Sequence, residues 1–540
     1  MQSPFKLPVA KQFGAIFFLF IITIITACDK AVEGESKDKI SSSLSKEKTR
    51  NQYEFSTEES FDSESIAPYS GQHTAIYKHI DQSIEQHTAA LQRWMRQPSI
   101  SAQNIGIQEM AEMLRDDLTN LGFQESNLVK TDGHPGVWGY YDAGAEETLL
   151  VYMMYDVQPV NENDWQSPPF EANIIENDLG QVMMARGSVN QKGPQRAFLN
   201  ALESIIAVEG KLPINIMIAA EGEEELGSPH YPQIVDAYED RMKTAKGVIF
   251  PMISQSPDGS SRMLLGVKGI LYFELESQGG EWGGPAKAEI HGSYKGLVDS
   301  PTIRLVQAIA SMTDKTGNTI LIDGYYDDIR PPTQEEQRLI NKAVSMGDDQ
   351  ALQKSLDVSQ WIDGQTGRAA TVDLLYNPTL NINGIWSGYI EEGVKTVLPH
   401  LATAKMDSRL PLGQDPDVML QKVRKHLDKH GFDDIKIRKL SGYPGAQTSV
   451  ESDLSQAVLS VYNKYANGVS VIPRIGGSAP FYQFTERLNL PLIPTGLGYG
   501  TGVHAPNEFL LIKPNDQTKA AGLAEIEKAY VDIIFALANK

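Results

Sequence analysis

With 540 residues, 41% of them hydrophobic, the chain can bury a sizeable core and is long enough for two or more domains. Its formal charge of −21, from 48 basic against 69 acidic residues, excludes nucleic acid as the main partner, because phosphate binding needs a basic footprint. The single cysteine excludes an intrachain disulfide.

Lys6 and Lys11 precede an apolar run, Phe13 to Ala27, that is too short and wrongly flanked for an ordinary spanning helix. The run ends in Ile25-Thr26-Ala27-Cys28, and small residues before a cysteine resemble a bacterial lipobox, where the cysteine is lipidated and becomes the mature N-terminus. Residues 1–28 are expected to be a lipoprotein signal peptide with Cys28 as the lipidated residue. A plain signal peptide or an uncleaved anchor is the alternative. Asp29 resembles the inner-membrane retention signal of some Gram-negative lipoproteins, which implies a lipid-anchored protein on the periplasmic side of the inner membrane. From Asp29 the sequence is rich in Ser, Glu, Lys and Asp, so residues 29–71 are expected to form a disordered tether.

Folding is expected to begin near Gln72. Ile76, Ile80, Ile84, Leu91 and Trp94 recur at helical spacing, and a second helix carries Met110, Met113, Leu114 and Leu118, with Gly122 as its stop. Thr148-Leu-Leu-Val-Tyr-Met-Met154 and Ile214-Asn-Ile-Met-Ile-Ala-Ala220 are short apolar runs without a polar face, which suits strands buried on both sides of a parallel sheet. Acidic residues follow both runs, at the carboxyl ends where open α/β sheets gather their sites. A mixed α+β stretch follows, in which Asp415-Pro416 caps a helix with Leu420, Val423 and Leu427 on its apolar face and Gly431 at its end. The reading is an α/β domain split into residues 72–271 and 443–540, with a second module, 272–442, inserted between them.

Five stretches carry chemistry together: Tyr155-Asp-Val-Gln-Pro159, Arg186-Gly-Ser-Val-Asn-Gln-Lys-Gly193, Glu221-Gly-Glu-Glu-Glu-Leu-Gly-Ser228, Arg474-Ile-Gly-Gly-Ser-Ala-Pro480 and His504-Ala-Pro-Asn-Glu508. In this order they resemble the signature blocks of the M20 zinc metallopeptidases, a family of carnosinases, bacterial dipeptidases, aminoacylases and succinyl-diaminopimelate desuccinylase. The resemblance runs from about Gln72 to the C-terminus. It implies a zinc-peptidase-like catalytic domain with a central, mostly parallel sheet, plus an inserted ferredoxin-like lid and dimerisation domain. It also implies two zinc ions sharing a bridging carboxylate and a hydroxide, whose proton a glutamate takes and later passes to the leaving amine.

Carried over by motif position, Glu224 matches that general base, and Asp156 matches the aspartate that orients a ligand histidine. Glu225 and His504 match two ligands of one zinc. His291 matches a histidine that the lid sends into a partner subunit's site to stabilise the oxyanion. Arg409 matches the residue that grips a substrate carboxylate, Thr396 and Ser478 match further substrate contacts, and Gly476-Gly477 allow close backbone approach. A homodimer through the lid is implied as well.

The sequence departs from the pattern at the other zinc. Met154 stands at the ligand histidine, Asn190 at the bridging aspartate and Pro251 at the remaining aspartate. A thioether suits zinc poorly among oxygen and nitrogen donors, and a neutral amide bridges two cations poorly. Asn190 is left as a weak third ligand, so the expectation is at most one zinc, or none. Three readings follow: a hydrolase of dipeptides or N-acyl amino acids using one metal and Glu224, a catalytically degenerate peptide-binding lipoprotein, or a structural partner for an active relative. The plain alternatives are a solvated acidic run for Glu221 to Glu225, a surface histidine for His504, a turn cap for Asp156 and a surface ion pair for Arg409.

Overall fold

Thr148–Met154 and Asn215–Glu221 are buried at every position and lie side by side in parallel, Met154 opposite Glu221, in the computed structural model. The model describes residues 50–347 and 349–538. Cys28, the leader and residues 29–49 of the expected tether lie outside the described residues. The two strands sit at the centre of a six-stranded sheet ordered Glu125–Val129, Gly136–Tyr141, Asn215–Glu221, Thr148–Met154, Gly247–Pro251, Leu492–Thr495. The last four strands are mutually parallel, and the first two add an antiparallel edge. Helices Thr74–Arg96, Ile107–Asn120, Lys192–Glu209, Asp453–Tyr465 and Leu523–Ala538 contribute to its largest core. Ile76, Ile80, Leu91 and Trp94 reach that core from the first helix, as their spacing predicts, and Gly122 adopts a positive φ of 87° just past the second.

A separate four-stranded antiparallel sheet is built from Gly269–Gln278, Asn381–Ser387, Leu401–Leu410 and Lys436–Tyr443. In chain order its strands stand 2-3-1-4, with helix Pro301–Ser311 after the first and Pro416–Lys429 after the third, which is the split βαβ plan of a ferredoxin-like unit. The Asp415 carboxylate caps the latter helix at the amides of Asp417 and Val418. One part of the inserted stretch leaves this unit: helix Gln334–Met346 sends Leu339 into the main core and Glu336 to Arg474.

The tether expectation fails where the chain is described. Residues 50–71 lie along the body, with the Arg50 guanidinium 2.6 Å from Asp373, the Phe61 amide donating to the Arg338 carbonyl at 3.0 Å and the Ser63 hydroxyl donating to the Val469 carbonyl at 2.7 Å. The reason is an alternation hidden in a polar composition. Asn51, Tyr53, Phe55 and Thr57 face inward while their neighbours face out, and Tyr53 and Phe55 pack on Ile340, Val372 and Tyr376.

Candidate active site

The carboxyl ends of the parallel strands open onto a cleft of about 830 Å³ that also touches the second sheet. Glu224 and Glu225 line it from a loop of the large sheet, and Asn190 and His504 from loops of a smaller one. Arg409, Ser478 and Gly477 line it as well, so seven of the expected site residues meet in one place.

A small antiparallel sheet brings two of the loops together. Strand Gly180–Met184 pairs with Phe509–Pro514, so the loop leaving the first, Ala185 to Asn190, lies against the segment entering the second, His504 to Glu508. Buried Glu508 fastens the two: its carboxylate accepts from the amides of Gly187 at 3.0 Å, Val189 at 2.8 Å and Asn190 at 2.9 Å, and from Arg186 at 2.7 Å. Sequence reasoning quoted Glu508 only as the end of a block; its role depends on contacts more than three hundred residues away.

Glu225 is the hub of the polar cluster. Its Oε1 accepts from the Asn190 amide at 2.6 Å and its Oε2 from the Gln158 amide at 2.7 Å, with His504 Nε2 3.2 Å from Oε2. The Asn190 amide also lies 3.1 Å from His504 Nε2. The hydrogen bond to Glu225 raises the His504 imidazole above its usual range. Gln158 was missed as a participant, although it stands inside the Tyr155–Pro159 block. Among the described residues, no three His, Cys, Asp or Glu side chains are grouped so as to hold a metal ion. Met154 and Pro251 are buried at the ends of their strands.

Asp156 lies beneath this surface, fully buried. Its carboxylate holds the acidic turn, accepting from the amides of Glu224 at 3.1 Å and Glu225 at 3.0 Å and from the Ser101 hydroxyl at 2.8 Å. Burial, reinforced by the Glu225 charge, pushes the Asp156 carboxyl up to about 7. Burial and the charges of Glu225, Asp156 and Glu221 push the Glu224 carboxyl well above the usual carboxylate range.

Glu221 offers a test of this crowding. Its Oε1 accepts from the Tyr152 and Ser228 hydroxyls at 2.6 and 2.8 Å, while its buried Oε2 has no hydrogen-bond partner. Burial pushes its carboxyl up to about 8. A folded-state value above the unfolded one, about 4.3, gives a stabilising contribution that is complete in acid and lost as pH rises through the folded value. Glu221→Gln, which removes the titration, is expected to gain unfolding midpoint relative to the parent as pH rises from about 4 to about 8. Parallel midpoints across that range would remove the burial argument.

In the same cleft, an Arg409 Nη1 donates to the Ser478 hydroxyl at 3.0 Å, and Ser478 donates to the Gly269 carbonyl at 3.0 Å. Lys405, which sequence reasoning missed, also lines the cleft. It stands four residues before Arg409 on one strand and so on the same face, a relation readable from the two-residue period. His291 and Thr396 lie elsewhere. They are exposed on a two-stranded ribbon of the second unit, where the Gly292 amide donates to the Thr396 carbonyl at 3.1 Å, and neither lines the cleft.

Residues 150–524 match the model of Peptidase family M20/M25/M40. The chain belongs to that family. It is 25% identical over 481 residues to the Cys-Gly metallodipeptidase DUG1 of Saccharomyces cerevisiae, covering 81% of this chain and 94% of that one. It is 26% identical over 474 residues to the Beta-Ala-His dipeptidase of Rattus norvegicus, covering 82% and 92%. The solved M20 family metallo-carboxypeptidase Sso-CP2 of Sulfolobus solfataricus superposes with a TM-score of 0.76 at 32% identity, covering 84% of this chain and all of that one. The α/β fold and the carnosinase-type kinship expected from the sequence both stand.

Proposed function

We propose that this family member is a dipeptidase-type protein whose cleft takes small peptides or N-acyl amino acids by their carboxylate, without the family's two-zinc reaction. One observation carries the reading. The Arg409–Ser478 pair is assembled in the cleft, while both oxygens of Glu225 are held by the amides of Gln158 and Asn190. A guanidinium fork suits a carboxylate, and amides are hydrogen-bond donors to Glu225 where a metal centre needs anionic ligands. Met154 and Pro251 supply no oxygen or nitrogen side-chain donor, and Asn190 offers only a neutral amide oxygen. Two zinc ions do not fit this set, and no step is assigned to them.

Hydrolysis is the second reading, favoured by Glu224, which lines the cleft beside Glu225 and His504 as a carboxyl placed to relay a proton to a leaving amine. The leader supports lipid anchoring at Cys28 on the periplasmic side of the inner membrane. A homodimer through the inserted unit is supported by its edge strand Asn381–Ser387, which leaves Ile382, Ile385 and Trp386 exposed.

The test pairs elemental analysis of zinc-equilibrated protein with calorimetric titration of a glycyl dipeptide. Fewer than one zinc per chain and peptide binding that ignores chelator are expected. Two tightly held zinc ions per chain would overturn the reading. Turnover abolished by Glu224→Gln with binding retained would establish the second one.

A further inference from the structure

We propose that the stretch joining helices Gln334–Met346 and Gly367–Tyr376 is a membrane-docking surface that seats the protein on a lipid bilayer beside its own N-terminal anchor. The proposal rests on the reading that Cys28 is lipidated. Met346, Leu352, Leu356, Val358 and Ile362 are large apolar side chains, and all are between 41% and 58% exposed. Exposed residues of this kind scattered singly need no explanation, but five in so short a stretch mark an interaction surface. They are ordered as well. The Leu356 amide donates to the Leu352 carbonyl at 3.1 Å, which continues the turn of helix Asp349–Ser355 and puts the two leucines on one face. The Asp349 carboxylate accepts from the Gly367 amide at 2.7 Å and ties that helix to the next one.

This surface lies where the chain enters the body. Arg50, the first described residue, pairs with Asp363 at 3.2 Å and with Asp373 at 2.6 Å, so the entry point adjoins Ile362. Tyr53 and Phe55 then pack on Ile340 and Val372, from the helices on either side of the stretch. An anchor at Cys28 therefore holds this face nearer the bilayer than any face remote from Arg50. Acyl anchoring becomes stable when a second contact joins it. That contact has to be apolar. The chain carries a formal charge of −21, and Asp348, Asp349 and Asp357 outnumber Lys354 within the stretch, so anionic headgroups repel it. An apolar face without a basic rim suits zwitterionic lipid.

The experiment reconstitutes the full-length chain in vesicles of phosphatidylethanolamine and phosphatidylcholine. It measures quenching of Trp361, the neighbour of Ile362, by lipid brominated in its acyl chains. The Trp361→Phe chain supplies the background from the other tryptophans. Quenching of the Trp361 component is expected, and about 1 M salt should leave it unchanged, because no charge attraction contributes. Leu356→Glu combined with Ile362→Glu should abolish it, and both changes fall on exposed side chains outside the core. An unquenched Trp361 in the parent, or quenching that survives the double variant, would overturn the proposal. Unquenched Trp361 together with a smaller sedimenting mass for the double variant would give the surface to a second copy. Incorporation of radioactive palmitate, lost in Cys28→Ala, checks the anchor separately. A parent that takes up no label would overturn the lipidation reading, while the quenching still decides the surface.

Discussion

Replacing Arg409 with alanine is expected to weaken binding of a dipeptide or N-acyl amino acid by about 10- to 100-fold, since hydrogen bonds to a charged group contribute about 1.5–3 kcal/mol. The side chain is 31% exposed, so part of its charge reaches solvent, and the upper end of that range requires the bound ligand to exclude water. Arg409 is also held from two sides: Ser478 accepts from it at 3.0 Å, and Asp407 lies 3.5 Å from its Nε. These contacts fix the plane of the guanidinium before a ligand arrives, which lowers the ordering cost of binding. Arg409→Lys should recover only a fraction, because a point charge cannot reproduce the planar fork. Titration calorimetry with the two variants checks the prediction. Parent-like affinity for Arg409→Ala would place the carboxylate elsewhere and take the proposed function with it.

Ser478→Ala tests the same contact from its other end with a smaller expected loss, because it frees the guanidinium without removing it. The order of effects therefore matters as much as their size. A loss at Ser478 exceeding that at Arg409 would mean that the serine itself meets the ligand.

Much of this arrangement was legible in the chain because it is local. Helical spacing named Ile76, Ile80, Leu91 and Trp94, and the two apolar runs gave central strands with acidic residues at their ends. Departures from the resembled family pattern at Met154 and Asn190 were visible in recognisable blocks. What occupies their place was not. Gln158, Asn190 and His504 converge on Glu225 from three loops, and nothing in sequence spacing says that an amide will turn toward a carboxylate rather than toward water. Asp156 illustrates the same limit. Its position implied a partner histidine, whereas in the fold the carboxylate meets the amides of the turn that carries Glu224 and Glu225. The segment 50–71 was misread for a different reason: composition averages over faces, so an alternating strip with a polar outer side looks like a solvated tether.

The second large effect is expected at Glu336, where Glu336→Gln should lower the free energy of unfolding by about 3–5 kcal/mol, the cost of leaving a buried charge without its partner. Arg474 is fully buried, pairs with Glu336, donates to Gln447 at 3.0 Å and lies 4.4 Å from the Tyr376 ring centroid. Glu336 accepts from Arg330 as well, at 2.7 Å, and closes the capping box of its helix by accepting from the Thr333 amide at 2.7 Å. Burial alone would raise the Glu336 carboxyl, yet Arg474 and Arg330 hold it below its ordinary value. A depressed folded value gives a contribution that is present above the unfolded pKa, about 4.3, and lost as pH falls through the folded one. Parent and variant should therefore differ most near neutrality and converge in acid, as read from unfolding midpoints at about pH 7 and about pH 3. A constant gap between them would assign the loss to packing instead of charge. The location gives the result a functional edge, because Arg474 stands three residues before Gly477 and four before Ser478. A pair that ties the inserted stretch to this loop also holds the serine against Arg409, so ligand affinity should fall together with stability in Glu336→Gln.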